Sequence, residues 1–513
     1  MKNRSKDGYL LALDGGTGTV RALLFSMDGQ RIHREQKKRA YAHDPLLGEF
    51  ACVFDAGSLW STICDIIRSV LRQNGIPPEA VLAVSATGQR FSYLFLDDKD
   101  EVLYAGPNLD ARGAFIREDI EGRMGQAYYP LTGQWPALTS ALSRLLWYRQ
   151  EAPTVFGRIR SVLMLNDWML QRLCGTKRCE VTAASASGLL DVGARQWSEK
   201  VLSTFDLDAT LLPPLAPAGE VIGEVLPGVA QETGLKQGTP VVVGGADTQC
   251  ALLGGGVRGE DQLGIVAGTT APVCLLMDTP YVHPEKRFWT SCHVDAAHWV
   301  LEANGQWAGY VVEWMKDLLI NLRERPCTDR EMYEWIDKKA RAAPPGCHDT
   351  FAFLGPVIME EKNFQFLRPG VFHFPAPAHP LTAYPAQASH FLRAILENIV
   401  FALRANHEQI AGARPTRPGQ ICLTGGLSGS PLFCQILADC LDLPVFVGRI
   451  REASALGAAI CAATGVGAFS SLGDAQDVIV REDAAFEPCR ENTAAYQKAY
   501  ERWREIYDKI EAL

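Results

Sequence analysis

Leu10, Leu11, Ala12 and Leu13 form an unbroken apolar run, the pattern of a strand buried on both faces. The run stops at Asp14, passes through Gly15, Gly16, Thr17, Gly18 and Thr19, and resumes as a second apolar strand over 20–25. Asp28-Gly29 is a two-residue hairpin turn, and 31–39 reads as the returning strand. The glycine-rich loop therefore joins two antiparallel strands and opens no helix. Leu59, Ile63, Ile66, Ile67, Val70 and Leu71 recur at helical spacing and predict an amphipathic helix over 58–73. A strand over 80–86 delivers Thr87, Gly88, Gln89 and Arg90 to a loop, and another strand covers 91–96. Helices follow over 140–149 and 161–173.

In mid-chain, Val241, Val242 and Val243 read as a buried strand ending in Gly244-Gly245 and the single carboxylate Asp247. An apolar, helix-compatible run and three more glycines come next. Residues 263–276 repeat the earlier pattern: apolar strand, Gly268-Thr269-Thr270 tip, apolar strand. No acid stands here in the place of Asp14. Asn304-Gly305 is read as a helix start, with the helix reaching 319. Residues 325–390 are proline-rich and read as irregular. Phe391, Ile395, Ile399 and Leu403 mark a strong helix over 390–409. Residues 421–433 read as strand, glycine loop (Gly425-Gly426) and helix, 443–447 as a strand, and Glu452 opens a small-residue helix. Residues 492–513 form a charged closing helix, read as a solvated face.

Length adds a domain count: 513 residues suit two large domains or three smaller ones. The boundary is placed in the 239–256 stretch, giving units 1–248 and 249–513. Hydrophobic residues at 47% and charged residues at 21% permit a large core. A net charge of −9 argues against a general nucleic-acid or anionic-membrane binder. The basic N-terminus lacks the apolar core of a signal segment, and the uncharged stretch 453–472 is rich in the small residues of a packed helix and loop. None of the 14 cysteines forms a Cys-x-x-Cys pair, which points to reduced core thiols in a cytoplasmic protein.

The candidate chemistry lies in the loops. No Gly-Lys pair exists, so the Asp14 hairpin is no Walker loop. Its glycine N–H groups and the hydroxyls of Thr17 and Thr19 can still receive phosphate, with a hydrated Mg²⁺ between phosphate and Asp14. Gly268, Thr269 and Thr270 offer a second such tip. Gln89, Arg90, Asp110 and Arg112 are polar groups at the ends of apolar elements and suit a polyhydroxylated ligand. Asp247 reads either as a helix N-cap or as a catalytic carboxylate.

Taken in order, these motifs resemble the FGGY carbohydrate kinases, within the actin/hexokinase/Hsp70-like ATPase superfamily, over 9–469. The motifs are the Asp14-Gly-Gly-Thr hairpin, the Gly88-Gln89 loop, Asp110-Ala-Arg112, Gly244-Gly-Ala-Asp247, the Gly268-Thr-Thr hairpin, Gly425-Gly-Leu-Ser and the Glu452 helix. The resemblance implies an α/β fold of two ribonuclease-H-like domains with ATP and sugar in the cleft between them. It implies Asp14 as the Mg²⁺-linked carboxylate, and Gly16, Thr17, Thr19, Gly268, Thr269 and Thr270 as the phosphate loops. It also implies Gly425 and Gly426 as adenosine-site glycines, Gln89, Arg90 and Asp110 as substrate contacts, and Asp247 as general base and substrate contact.

Asn108-Leu-Asp-Ala-Arg112, Ser143-Arg-Leu-Leu-Trp147 and Ser187-Gly-Leu-Leu-Asp191 are most similar to the autoinducer-2 kinases. The loop after Gln89 reads Arg90-Phe-Ser-Tyr93, where xylulose kinases carry Met-His-Gly. Gly429 replaces a common Lys or Arg, and Glu360-Glu-Lys-Asn363 a common Gly-Glu-Arg. The expected activity is ATP-dependent phosphorylation of a small sugar, polyol or open-chain hydroxyketone, of the autoinducer-2 or ketopentose kind. The alternatives are a glycerol or tetritol kinase, and a non-catalytic sugar or ATP sensor, which would have no need of Asp247. The resemblance also leaves room for a homodimer.

Overall fold

The run at 10–13 becomes an inner strand because apolar side chains on both faces need cover on both sides. In the computed structural model, which describes residues 8–44, 47–135, 138–322, 327–360, 369–376, 386–413 and 417–511, it lies in a six-stranded sheet. The strands are β1 (Tyr9–Gly15), β2 (Thr19–Ser26), β3 (Arg31–Lys38), β4 (Val81–Gly88), β5 (Val221–Glu224) and β6 (Pro240–Ala246). Their order is β5-β6-β4-β1-β2-β3. β4 runs parallel to both β1 and β6, whereas β2, β3 and β5 are antiparallel to their neighbours.

The chain divides into two units, and this sheet belongs to the first: Met1–Arg258, Leu276–Leu301 and Glu452–Arg481. Leu11, Leu13, Val84 and Ala86 share an apolar cluster with the helices Ala56–Gln73 and Leu165–Cys174. Asp55 caps the former, accepting the Ser58 N–H at 2.6 Å. The small-residue helix Ala453–Gly465 packs on β1, β4 and β6. It also meets the helix Asp247–Gly254 backbone to backbone. A Cβ on Gly457 would stand 2.0 Å from the Cys250 carbonyl oxygen, and one on Gly254 would stand 2.1 Å from that of Ala453. This close seating accounts for the small residues of the stretch. No helix among the described residues is long and apolar enough to cross a membrane.

The second unit comprises Gly259–Leu275, Glu302–Arg451 and Glu482–Leu513. Its strands β7 (Gln262–Val266), β8 (Pro272–Met277), β9 (Gln420–Thr424), β10 (Val445–Gly448) and β11 (Glu482–Phe486) run in the order β8-β7-β9-β10-β11. β9 is parallel to β7 and β10, while β8 is antiparallel to β7 and β11 is antiparallel to β10. This repeats β2-β1-β4-β6-β5 of the first unit, strand for strand.

Several expected elements differ. The predicted helix over 161–173 begins as a strand, Ser161–Met164, fully buried and paired with Tyr93–Leu96. Four consecutive buried residues carry no periodicity that separates strand from helix. Asn304 ends a strand, Trp299–Asn304, and the helix starts only at Ala308. The region expected to be irregular contains the helix Asp329–Ala340, started by a Thr328–Glu331 capping box. The closing helix, Arg490–Glu511, is not a wholly solvated face, since Tyr496 and Trp503 are completely buried. Within Glu360-Glu-Lys-Asn363, residues 361–363 lie outside the described residues.

Candidate active site

Parallel pairing brings three sequence-distant loops to one end of the first sheet. Asp14 pairs with Thr87 and Gly15 with Gly88, and Gly88 also pairs with Ala246. The residues that leave this edge are Gly16 and Thr17, Gln89 and Arg90, and Asp247. The C-terminal edge of parallel strands is where α/β folds place their ligands.

Asp14 is buried, and Arg21, opposite it in the hairpin, donates from Nη1 to its Oδ2 at 3.0 Å. Burial raises the Asp14 pKa above the ordinary carboxylate value; Arg21 opposes the rise and Glu452 adds to it. Glu452 precedes the Ala453–Gly465 helix, with Oε1 held by Arg31 and Arg34 and Oε2 buried without a hydrogen-bond partner.

Asp247 is the first residue of its helix rather than the cap: Ala246 holds the cap position, and Asp247 Oδ1 accepts the Thr248 N–H at 2.8 Å. Arg90 Nε lies 3.9 Å from the same oxygen, and 34% of the Asp247 side chain is open to solvent. Loss of hydration nevertheless pushes its pKa up to about 6; Arg90 and the Thr248 N–H oppose this, and Asp14 reinforces it. The group is therefore a carboxylate that can take up and release a proton near neutral pH.

The hairpin loop is held from behind. Arg39 Nη1 donates to the Gly16 carbonyl at 3.1 Å and the Tyr41 hydroxyl donates to that of Thr17. Across a trans peptide the next N–H points the opposite way, so the Thr17 and Gly18 N–H groups face away from Arg39 and Tyr41. Successive N–H groups aimed outward form an anion cradle. The Thr17 hydroxyl does other work: it donates to Gln89 Oε1 at 3.1 Å and accepts from Asn108 Nδ2 at 2.9 Å. It ties the hairpin to the Gln89 and Asn108 loops. Thr19 opens β2.

Asp110 does not join this group. It has no exposure; Arg112 Nε donates to both of its oxygens, at 3.0 and 2.8 Å, and the Tyr104 hydroxyl donates at 2.7 Å. Its carboxylate organises the loop from inside.

The sequence reading missed several residues here. Arg21 was visible in principle, since positions 19 and 21 of a strand share a face. Phe91, at φ 61°, turns the chain sharply after Arg90. The Arg90 guanidinium lies 5.8 Å from the ring centres of both Phe91 and Trp289. Trp289 shares a strand face with Ser291, which accepts from Gln249 Nε2 at 3.1 Å. Gln89 Nε2, Gln249 Oε1 and Trp289 Nε1 are buried without a hydrogen-bond partner. Polar atoms left in that state mark places where a polar ligand or water completes the pairing.

In the second unit, β7 and β9 are in register with Val266 beside Thr424, so their loops leave the same edge. Gly425, at φ 87° and ψ 179°, lies so close that a Cβ would be 2.5 Å from the Ala267 carbonyl oxygen and 2.9 Å from the Gly268 nitrogen. The Gly268-Thr269-Thr270 tip is pinned by the Gly309 N–H, which donates to the carbonyls of Gly268 and Thr269. Gly426 and Gly429 are exposed, with open space around the position of a Cβ. Gly425→Ala is expected to cost about 1–3 kcal/mol from its glycine-only backbone conformation alone. A melting temperature equal to that of the unmodified protein would refute that reading.

A family model described as "FGGY family of carbohydrate kinases, N-terminal domain" matches residues 9–254, and the corresponding C-terminal domain model matches 263–466. An autoinducer-2 kinase of Salmonella typhimurium (strain LT2) is 31% identical over 512 residues, spanning 98% of this chain and 95% of the relative. That of Escherichia coli (strain K12) is 31% identical over 510 residues, spanning 97% and 94%. Among solved structures, xylulose kinase from Lactobacillus acidophilus superposes with a TM-score of 0.85 at 20% identity, covering 98% of this chain and 99% of that one. Plasmodium falciparum glycerol kinase with ADP gives 0.81 at 17% identity, covering 96% and 98%. These likenesses show that the chain shares its α/β fold with both structures over nearly its whole length.

Proposed function

Because the chain belongs to the FGGY family of carbohydrate kinases, we propose that Asp247 is the general base that activates the acceptor hydroxyl. The observation that carries this is the shared edge of β1, β4 and β6. It sets a carboxylate whose pKa is about 6 beside Arg90 and the Gln89 loop. Asp247 takes the proton of the acceptor hydroxyl as the hydroxyl oxygen attacks the terminal phosphorus of ATP, whose bond to the bridging oxygen breaks and releases ADP. Arg90, with its Nε 3.9 Å from Asp247, favours the ionised form that a base requires. The Thr17 and Gly18 N–H groups receive phosphate oxygens in the first unit, and the Gly268-Thr269-Thr270 tip with Gly425 and Gly426 serves the nucleotide in the second.

The residues fit a divalent cation. Asp14 raises the pKa of Asp247, and Glu452 raises that of Asp14. Among the described residues no three acidic, His or Cys side chains converge, so the fit is to a hydrated Mg²⁺ that Asp14 would hold, with waters completing its shell. Bound there, Mg²⁺ would offset phosphate charge during transfer. Asp14→Asn is expected to raise the Mg²⁺ concentration for half-maximal rate by at least about tenfold. An unchanged Mg²⁺ dependence would remove Asp14 from this role.

The acceptor we infer is a small open-chain hydroxyketone of the autoinducer-2 kind, or a ketopentose. Its support is the 31% identity to autoinducer-2 kinases over nearly the whole chain. The test is an ADP-release screen over pentuloses, hexuloses, tetritols, glycerol and the autoinducer-2 precursor, with Asp247→Asn as blank. Highest turnover on glycerol or a tetritol would overturn the acceptor assignment.

A further inference from the structure

Ala246 and Asp247 are not held by the sheet alone. Ala246 occupies the cap position of the Asp247–Gly254 helix and has no side chain with which to cap it. Its N–H donates instead to Thr182 Oγ1 at 2.9 Å. Thr182 in turn donates its hydroxyl proton to Glu180 Oε2. Glu180 is fixed as the cap of the helix Val181–Ser185, accepting the N–H groups of Thr182 and Ala183 at 2.9 Å each. Glu180, Thr182 and Ala246 are buried, at 1%, 0% and 0% exposure. Gly245 leaves room for this seat: a Cβ there would stand 3.4 Å from Thr182 Oγ1 and 2.7 Å from Val294 Cγ1.

We propose that Thr182, oriented by Glu180, is a positioning residue for phosphoryl transfer that fixes the Gly245–Ala246 peptide, one residue before Asp247, and so aims the Asp247 carboxylate; this rests on Asp247 being the base. The direction of each bond supports it. Glu180 Oε2 accepts the Thr182 O–H, so Oγ1 presents its lone pairs, not its proton, to the Ala246 N–H. Without that acceptor, the Ala246 N–H is a buried donor with nothing to bind, and the peptide turns to find a partner. Asp247 follows that peptide directly, across the Ala246 Cα. Displacement of a reacting group by about 1 Å is enough to cost roughly 10²-fold in rate.

The test measures ADP release with D-xylulose and with the autoinducer-2 precursor as acceptors, alongside ATP binding by titration. Thr182→Val is expected to lower kcat roughly 10–100-fold with ATP affinity unchanged, because only the aim of the base is lost. Thr182→Ser keeps the hydroxyl and is expected to restore the rate. Thr182→Val/Asp247→Asn is expected to be no slower than Asp247→Asn alone, since residues acting as one unit are not additive. Glu180→Gln supplies the same readout if the valine variant does not accumulate, with a smaller fall in kcat. Wild-type kcat in Thr182→Val or Glu180→Gln, a serine variant as slow as the valine one, or a valine effect that persists in full on the Asp247→Asn background would each overturn the proposal. Near-normal turnover by Asp247→Asn alone would instead remove the base assignment, and this proposal with it.

Discussion

Asp247→Asn is expected to lower kcat by roughly 10²–10⁴-fold, the usual contribution of a positioned general base, with ATP affinity retained. The amide keeps the size of the carboxylate, and its carbonyl oxygen can still accept the Thr248 N–H, so the helix start survives. What is lost is the site that receives the proton. Because the base must be ionised, the rate of the unmodified enzyme is expected to fall as pH drops through about 6. The residual rate of the asparagine variant should lack that limb. Stability gives an independent sign check. A carboxyl whose folded pKa is raised above its unfolded value favours the folded state at low pH, and that stability is lost as pH rises through the folded pKa. Removing the charge should therefore raise the melting temperature of Asp247→Asn relative to the unmodified protein above about pH 6, with no difference expected below the unfolded value of 3.8. Near-normal turnover would eliminate the base assignment. A melting-temperature gap that shrinks with rising pH would contradict the environment described for the side chain.

Much of this site was legible before any coordinates, for local reasons. Asp14 and Asp247 each end a buried apolar run, and glycines beside them announce close backbone approach. Gly268 and Gly425 were legible in the same way. What the sequence withheld was long-range. Nothing in residues 88 and 246 announces that they lie side by side, because parallel register is set by packing of strands far apart in the chain. Trp289 and Gln249 were missed because their relation to Arg90 exists only once the Trp289–Cys292 strand is seated. The closing helix misled for a different reason. Its many charges hid Tyr496, Tyr500, Trp503 and Tyr507, whose spacing is that of a helical stripe. Thr328 and Glu331 were a readable capping box, overlooked within a proline-rich region.

The second large effect is one of stability and concerns the loop around Asp110. Arg112→Met is expected to destabilise the protein by about 3–5 kcal/mol, the cost of breaking a buried ion pair on one side. Both partners are completely buried. The guanidinium also donates to the Tyr148 hydroxyl at 3.1 Å and lies 4.8–5.3 Å from the ring centres of Tyr104, Trp147 and Tyr148. Arg144 braces the same loop through the carbonyls of Pro107 and Asp110. The stretches 108–112 and 143–147, singled out separately in the sequence, are thus two sides of one cluster. Methionine fills much of the arginine volume but leaves the Asp110 carboxylate without its counter-ion. Asp110→Asn/Arg112→Met should recover part of the loss, since the uncompensated charge is then gone.

The same pair of variants decides what Asp110 does. If it organises the loop from inside, Asp110→Asn lowers the melting temperature and leaves the acceptor KM nearly unchanged. A direct substrate contact would instead raise KM at unaltered stability. Loosening this loop has a route to the chemistry as well. Asn108, within it, holds the Thr17 hydroxyl at 2.9 Å, and Thr17 belongs to the hairpin whose N–H groups we propose receive phosphate. Arg112→Met should therefore weaken ATP binding even at temperatures where the fold persists. Calorimetric melting and ATP titration at 10 °C read the two effects separately, and an unchanged melting temperature would show that the buried pair contributes nothing.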